Sequence, residues 1–234
     1  MKQKMKRIGF VVTKDQVSGS VSLPSAYATF IAHFGIPVPI FALDDHINTD
    51  IDLLILGGGA DVDPIRYGQK PSYFAQNTNI QLEYFDRNIL KQYVDANIPI
   101  LGICRGFQTL NVFFGGSMDQ HIKQAYSKSD DRGQLVHDVS FSAHYNSFAD
   151  YFGIPKEGKN KVFRVNSLHH QGFGVNRMAE NVAAILTNPV DSNVECLWVK
   201  NKPIVGVQWH PEETFDGFSL TLIRRLLAYD RNKA

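Results

Sequence analysis

Cys104 and His210 are the residues of this chain whose types and surroundings point most directly to chemistry. Cys104 follows the apolar run Ile100, Leu101, Ile103, which reads as a short buried strand. Phe107, Leu110, Asn111 and Phe114 then recur at helical spacing until Gly115 and Gly116 stop the helix. Gly102 lies two residues before Cys104 and Gly106 two after. That is the pattern of a sharp strand-to-helix turn, which needs small neighbours because its backbone is strained and which lifts a nucleophile to the carboxyl edge of a sheet. The start of the following helix favours a thiolate, and backbone N–H groups there can hold an oxyanion.

A thiolate that attacks an acyl carbon needs a proton partner. Ile204, Val205 and Val207 make a second short strand, with His210 at its end and Glu212 two residues on. A histidine there can serve the cysteine as base and the leaving group as acid. A carboxylate on its far nitrogen fixes the tautomer and steadies the imidazolium. A lone cysteine is more often a small buried hydrophobe and a strand-end histidine a structural residue. The two contexts together favour the catalytic reading. Cys196, in Glu-Cys-Leu-Trp, reads as an ordinary strand core residue.

Composition narrows the remaining classes. A chain of 234 residues suits a single α/β domain over 1–234 with a sizeable core. A formal net charge of +1 gives no reason to expect nucleic acid or a membrane as a partner. Two cysteines make neither a disulfide framework nor a metal spacing, and a free thiol fits the cytoplasm. The basic start, Met1 to Arg7, precedes an apolar run too short for a signal peptide, and no run reaches the length of a membrane helix.

Four motifs, in order, carry a resemblance to a known family. They are the glycine loop with its acids, Gly57 to Gly68; the Gly-Ile-Cys-Arg-Gly-Phe-Gln turn; Val165 to Gly172, which reads Val-Asn-Ser-Leu-His-His-Gln-Gly; and the Gly-Val-Gln-Trp-His-Pro-Glu strand end. The chain resembles the class I glutamine amidotransferase-like superfamily and, within it, the gamma-glutamyl-gamma-aminobutyrate hydrolase branch. The resemblance implies a Cys104, His210, Glu212 triad. It implies an oxyanion hole from the amide of Gly58 or Gly59 together with that of Arg105. It implies that Gln108 contacts a glutamyl group, and that Ser167, His169 and Gln171 orient substrate. It implies no metal and no cofactor, although Asp61 and Asp63 follow the glycines. Family members often pair, so a homodimer is within its scope. The implied activity is hydrolysis of a small gamma-glutamyl amide through a thioester. The alternative is a glutaminase that passes ammonia to a separate synthetase. A binding protein without activity is the third reading, disfavoured by the intact triad and its glycines.

Strands alternating with helices predict an open, mostly parallel, flavodoxin-like sheet flanked by helices, with the nucleophile elbow at Cys104. Strands are expected over 7–12, 37–43, 52–56, 100–103, 137–141, 162–165, 182–186, 194–199 and 204–207. Asn201 to Pro203 should turn a hairpin. Helices are expected after Pro24, over 82–93, over 107–114 and over 215–229. Residues 68–80 and 123–134 read as exposed loops. The segment 142–161 reads as either a pocket border that selects substrate or partner, or a solvated connector. His121 reads as a surface or helix-capping residue. Two consecutive histidines cannot face the same way on an extended backbone, so His169 and His170 should part. The family places an arginine and a further acid near residues 79–86, where this chain has Asn79, Gln81, Glu83 and Asp86.

Overall fold

Three strands of branched apolar residues, β3 (Leu53–Leu56), β4 (Ile100–Ile103) and β9 (Ile204–Val207), are buried at every position. Strands covered on both faces belong at the centre of a sheet clad by helices. The computed structural model describes residues 5–75, 77–122, 132–156 and 162–231. Its sheet has the order β2-β1-β3-β4-β9-β8-β7-β5-β6. β1 is Arg7–Val12 and β2 is Ile36–Phe41. The second carries Pro37 and Pro39, each lacking a backbone donor, and it lies at the edge, where a missing ladder bond is tolerated.

The half from β2 to β9 is parallel. The other half, β5 (His137–Phe141), β6 (Val162–Val165), β7 (Val182–Thr187) and β8 (Val194–Val199), pairs antiparallel, including β8 with β9. This mixed sheet is less uniformly parallel than strand–helix alternation suggests. The links β7–β8 and β8–β9 are short, and a short link cannot make the crossover that a parallel pair needs. The β8–β9 turn has Asn201 at φ 61°.

Helices cover both faces. On one face α1 (Ser25–Ala32), α5 (Tyr145–Phe152) and α7 (Gly217–Leu227) bury Phe30, Phe148 and Leu222. On the other face α3 (Leu90–Asp95) and α4 (Arg105–Phe113) bury Tyr93, Phe107 and Leu110.

Two elements depart from expectation. The helix over 82–93 is broken into α2 (Ile80–Tyr84), a π turn (Phe85–Ile89) and α3. The wider turn keeps Phe85 and Ile89 in the core while Asp86 reaches the Arg105 guanidinium at 3.0 Å. In the segment 142–161, Tyr145, Phe148 and Phe152 sit at helical spacing on α5, and the two phenylalanines pack against Trp198. Its described part is an amphipathic helix with one face in the core, while Asn146, Ser147 and Asp150 stay exposed. The end of that segment, and most of the loop expected over 123–134, lie outside the described residues.

The nucleophile turn explains its glycines. A Cβ on Gly102 would stand 2.6 Å from the Gly106 carbonyl, and one on Gly106 would collide with the Leu56 carbonyl of β3. Backbone cannot yield there as a side chain can. Gly106→Ala is therefore expected to destabilise the fold by about 3 kcal/mol, read as a lower urea midpoint. An unchanged midpoint would show that α4 does not lie this close to the sheet.

Candidate functional site

Cys104 adopts φ 51° and ψ −101°. A side chain in such a conformation costs about 1–3 kcal/mol and persists only where its surroundings hold it. Here the Cys104 N–H donates to the Val207 carbonyl at the end of β9 (2.9 Å), and the Cys104 carbonyl accepts from the Gln108 N–H as α4 begins (3.2 Å). The sulfur thus stands at the sheet edge, beside a helix N-terminus.

β9 leads three residues on to His210, which caps the short helix α6 (Pro211–Thr214). Pro211 is suited to a first helical position, and the following turn brings Glu212 back beneath the ring. Glu212 Oε1 lies 2.6 Å from His210 Nδ1, and both side chains are buried. The ring also hydrogen-bonds the Cys104 side chain. Since Nδ1 donates to the carboxylate, the other nitrogen, Nε2, meets the sulfur. Burial is the largest influence on His210 and disfavours its charge. The Cys104 charge and hydrogen bond, with those of Glu212, outweigh it and push the ring up to about 10.

Two residues that the sequence did not single out complete the framework. Asn166 accepts from the His210 N–H (2.9 Å) and donates to the Arg132 carbonyl (2.7 Å), so it clamps the histidine's main chain. It belongs to the Asn-Ser-x-His-His-Gln motif, which was the available signal. Tyr27 accepts from the Gly58 N–H at 2.8 Å, and its hydroxyl lies close enough to Glu212 to feel its charge. Burial, followed by the charge of Glu212, pushes its phenol well above the usual range, so it stays protonated. Nothing local marks Tyr27, which reads as one more apolar-face residue of α1.

Gly58 lies against the pair. A Cβ there would stand 2.9 Å from His210 Cε1 and 3.5 Å from Cys104 Cβ. Its N–H is engaged by Tyr27 rather than free for a substrate. Of the two glycines considered for the first oxyanion contact, that leaves Gly59. A cavity of about 220 Å³ opens beside the loop, bordered by Tyr27, Gly58, Gly59, Leu82 and Arg105.

The side chain of Arg105 turns into a buried ionic network. It meets Glu83 at 2.8 Å, Asp86 at 3.0 Å and the Thr109 hydroxyl at 3.1 Å, while Arg66 meets Asp86 at 2.7 Å. Glu83 and Asp86 thus anchor the residue after the nucleophile, leaving its backbone N–H at the turn. Gln108 also faces inward, and its amide nitrogen donates to the Gln171 carbonyl and to Gln208 Oε1, both at 3.1 Å. The histidines part. His169 is buried with Nδ1 2.8 Å from the Gln171 carbonyl, whereas His170 reaches Asp61 of the glycine loop at 3.1 Å. Burial pushes the His169 ring down to about 4, so it is neutral. Ser167 Oγ and the Gln171 side-chain amide are buried without a partner among the described residues. Asp63 caps the turn Pro64–Tyr67. His121 stacks on Phe74 at 4.2 Å. Cys196 is fully buried in the core. Among the described residues, no helix is long and apolar enough to cross a membrane.

This arrangement can form a thiolate–imidazolium pair next to backbone donors, which is equipment for acyl transfer. The comparisons agree in kind. The family model described as Peptidase C26 matches residues 7–212. A glutamine amidotransferase-like protein of Lactococcus lactis, YvdE, is 33% identical over 80% of this chain and 77% of its own length. A gamma-glutamyl-gamma-aminobutyrate hydrolase of Escherichia coli O157:H7 is 27% identical over 92% and 89%. A component of the glutamine-hydrolysing GMP synthase of Archaeoglobus fulgidus is 26% identical over 76% and 75%. A crystal structure from Thermoplasma acidophilum, described as a GMP synthase component, superposes with a TM-score of 0.62 at 21% identity, covering 97% of this chain and 94% of that one. The fold is that of the class I glutamine amidotransferases.

His210 is held charged in the fold well above its ordinary value of 6.5. It therefore binds its proton more tightly folded than unfolded. The stability it contributes is complete below about pH 6.5 and is lost as the pH rises through about 10. Urea unfolding of the wild type and of His210→Gln should show the wild-type advantage largest near pH 6 and shrinking towards pH 10. A constant difference would mean that the ring is not held protonated.

Proposed function

This chain belongs to the Peptidase C26 family of glutamine amidotransferase-like proteins, and from that premise we propose that it is a cysteine hydrolase cleaving the gamma-glutamyl amide of a small amine. The observation that carries the reading is the line from Cys104 through the His210 ring to buried Glu212, mounted on the strained turn after β4. The Cys104 sulfur attacks the gamma-carbonyl carbon. The backbone N–H groups of Gly59 and Arg105 receive the oxyanion. The C–N bond breaks as His210 gives its proton to the departing amine, leaving a gamma-glutamyl thioester. Water then attacks that carbonyl, His210 takes its proton, the C–S bond breaks and glutamate leaves. Ser167, His169 and Gln171, with Gln108 behind them, hold the glutamyl group. Tyr27 positions the glycine loop through the Gly58 N–H. Two free cysteines suit a cytoplasmic enzyme.

The contact between His170 and Asp61 supports hydrolysis of an amine conjugate, because it joins the two motifs that mark the hydrolase branch across one side of the site. The likeness to the Escherichia coli hydrolase over nearly the whole of both chains points the same way. A second reading draws on the likeness to the Archaeoglobus fulgidus synthase component. On that reading the chain is a glutaminase that delivers ammonia to a synthetase on another chain.

The purified chain, offered glutamine beside a panel of gamma-glutamyl amines including gamma-glutamyl-gamma-aminobutyrate, separates the two. Rapid release of glutamate from one conjugate, with glutamine poor, is expected. Slow turnover of everything, with Cys104 still readily alkylated, would favour the partner-dependent glutaminase. Cys104→Ala and His210→Ala should abolish turnover, and normal kinetics in either would overturn the assignment. Tyr27→Phe should lower kcat about tenfold, the equivalent of one hydrogen bond of about 1.4 kcal/mol, while KM moves less than about twofold. An intact kcat would remove Tyr27 from the framework.

A further inference from the structure

Near the proposed triad lie buried polar atoms that no group among the described residues satisfies. They are Glu195 Oε2, His169 Nε2, Ser167 Oγ, the side-chain amide of Gln171 and Gln208 Nε2. Native interiors leave few polar atoms without a partner, so a concentration of them calls for an explanation such as a ligand. Hydrogen bonds tie Glu195, Gln208, Gln171 and His169 together. The Gln208 N–H donates to the Glu195 carbonyl at 2.8 Å, and Gln208 lies two residues before His210. Gln108 bridges Gln208 to the Gln171 carbonyl, which also receives His169 Nδ1.

We propose that Glu195 anchors a primary ammonium group of the substrate, with His169 Nε2 as a second acceptor. On the gamma-glutamyl reading, on which this rests, that group is the α-ammonium remote from the reacting carbonyl. Glu195 is 1% exposed, and its carboxyl has no cation beside it among the described residues. The nearest ring, His137, stands 3.8 Å away and is itself pushed below its ordinary value by burial, so it brings no charge. Burial, then the negative charges of Asp191 and Cys104, push the Glu195 carboxyl well above the usual range. A positive charge is what this pocket lacks. The chemistry of His169 agrees. Its Nδ1 faces a carbonyl oxygen, which can only accept, so the proton sits on Nδ1 and Nε2 presents a lone pair. An ammonium has three N–H donors and no acceptor, and it meets acceptors at Glu195 Oε2, His169 Nε2 and the Gln171 amide oxygen. The donors that remain, Ser167 Oγ and the amide nitrogens of Gln171 and Gln208, suit the α-carboxylate carried by the same carbon.

The test measures binding without turnover. In a Cys104→Ala background, calorimetry compares gamma-glutamyl-anilide with glutaryl-anilide, which lacks only the amino group. The gamma-glutamyl compound should bind at least about 30-fold more tightly, the weight of one buried charge-assisted contact. Adding Glu195→Gln, which preserves size, should bring the two affinities within about threefold of each other. A preference that survives Glu195→Gln overturns the proposal. So does the absence of any preference in the Cys104→Ala protein itself, which decides the matter even if the double variant fails to fold. If the preference depends on Glu195 but the wild type hydrolyses no conjugate, the subsite stands and the hydrolase reading falls. If conjugates are hydrolysed without such a preference, the reverse holds.

Discussion

Cys104 occupies a backbone conformation that side chains avoid, and much of the molecule is arranged to keep it there. The key restraint is the hydrogen bond from its N–H to the Val207 carbonyl. It ties the end of β4 to the end of β9, the two central strands that deliver nucleophile and histidine. Because the pair is parallel, both strands finish at the same edge of the sheet, and the groups that follow them meet there without a long loop. Gly102 and Gly106 are the steric condition for this, since α4 must leave the turn in backbone contact with β3. Strain at one residue is thus balanced by hydrogen bonding and packing spread over three strands and a helix.

Charge is handled in two ways around that turn. Behind it, Arg105 and Arg66 share Glu83 and Asp86 in a buried network. Buried ion pairs contribute little net stability after desolvation, but breaking one is expensive, so such a network favours a single arrangement. It fixes the residue whose backbone N–H borders the nucleophile. In front, His210 gains its charge from the sulfur and from Glu212 despite burial. One set of charges orients the turn; the other stands ready to move a proton.

The polar residues of the β5 to β8 side behave differently. His169, His137 and Glu195 are driven towards their neutral forms by the same burial that His210 resists. The difference lies in the partner. His210 faces the Cys104 sulfur and the Glu212 carboxylate, whereas Glu195 faces a neutral ring, with its second oxygen unpaired among the described residues. An interior so unsatisfied is intelligible as one half of a complex with a small, doubly charged ligand.

The local features were legible in the sequence because they rest on neighbours in the chain: the apolar runs of β3, β4 and β9, the glycines around Cys104, and His210 two residues from Glu212. Each follows from a pattern with a period or a fixed offset, and the family resemblance rests on the same stretches. The π turn at Phe85–Ile89 and the aromatic face of α5 escaped that reading, because they answer to partners far along the chain, Arg105 for one and Trp198 for the other. Only the tertiary structure showed that Tyr27 takes the Gly58 N–H, that Asn166 clamps His210, and that Glu195 is buried without a cation among the described residues. The physical reason is that hydrogen-bond satisfaction and desolvation are properties of a neighbourhood in space, and a sequence gives only the neighbours in line.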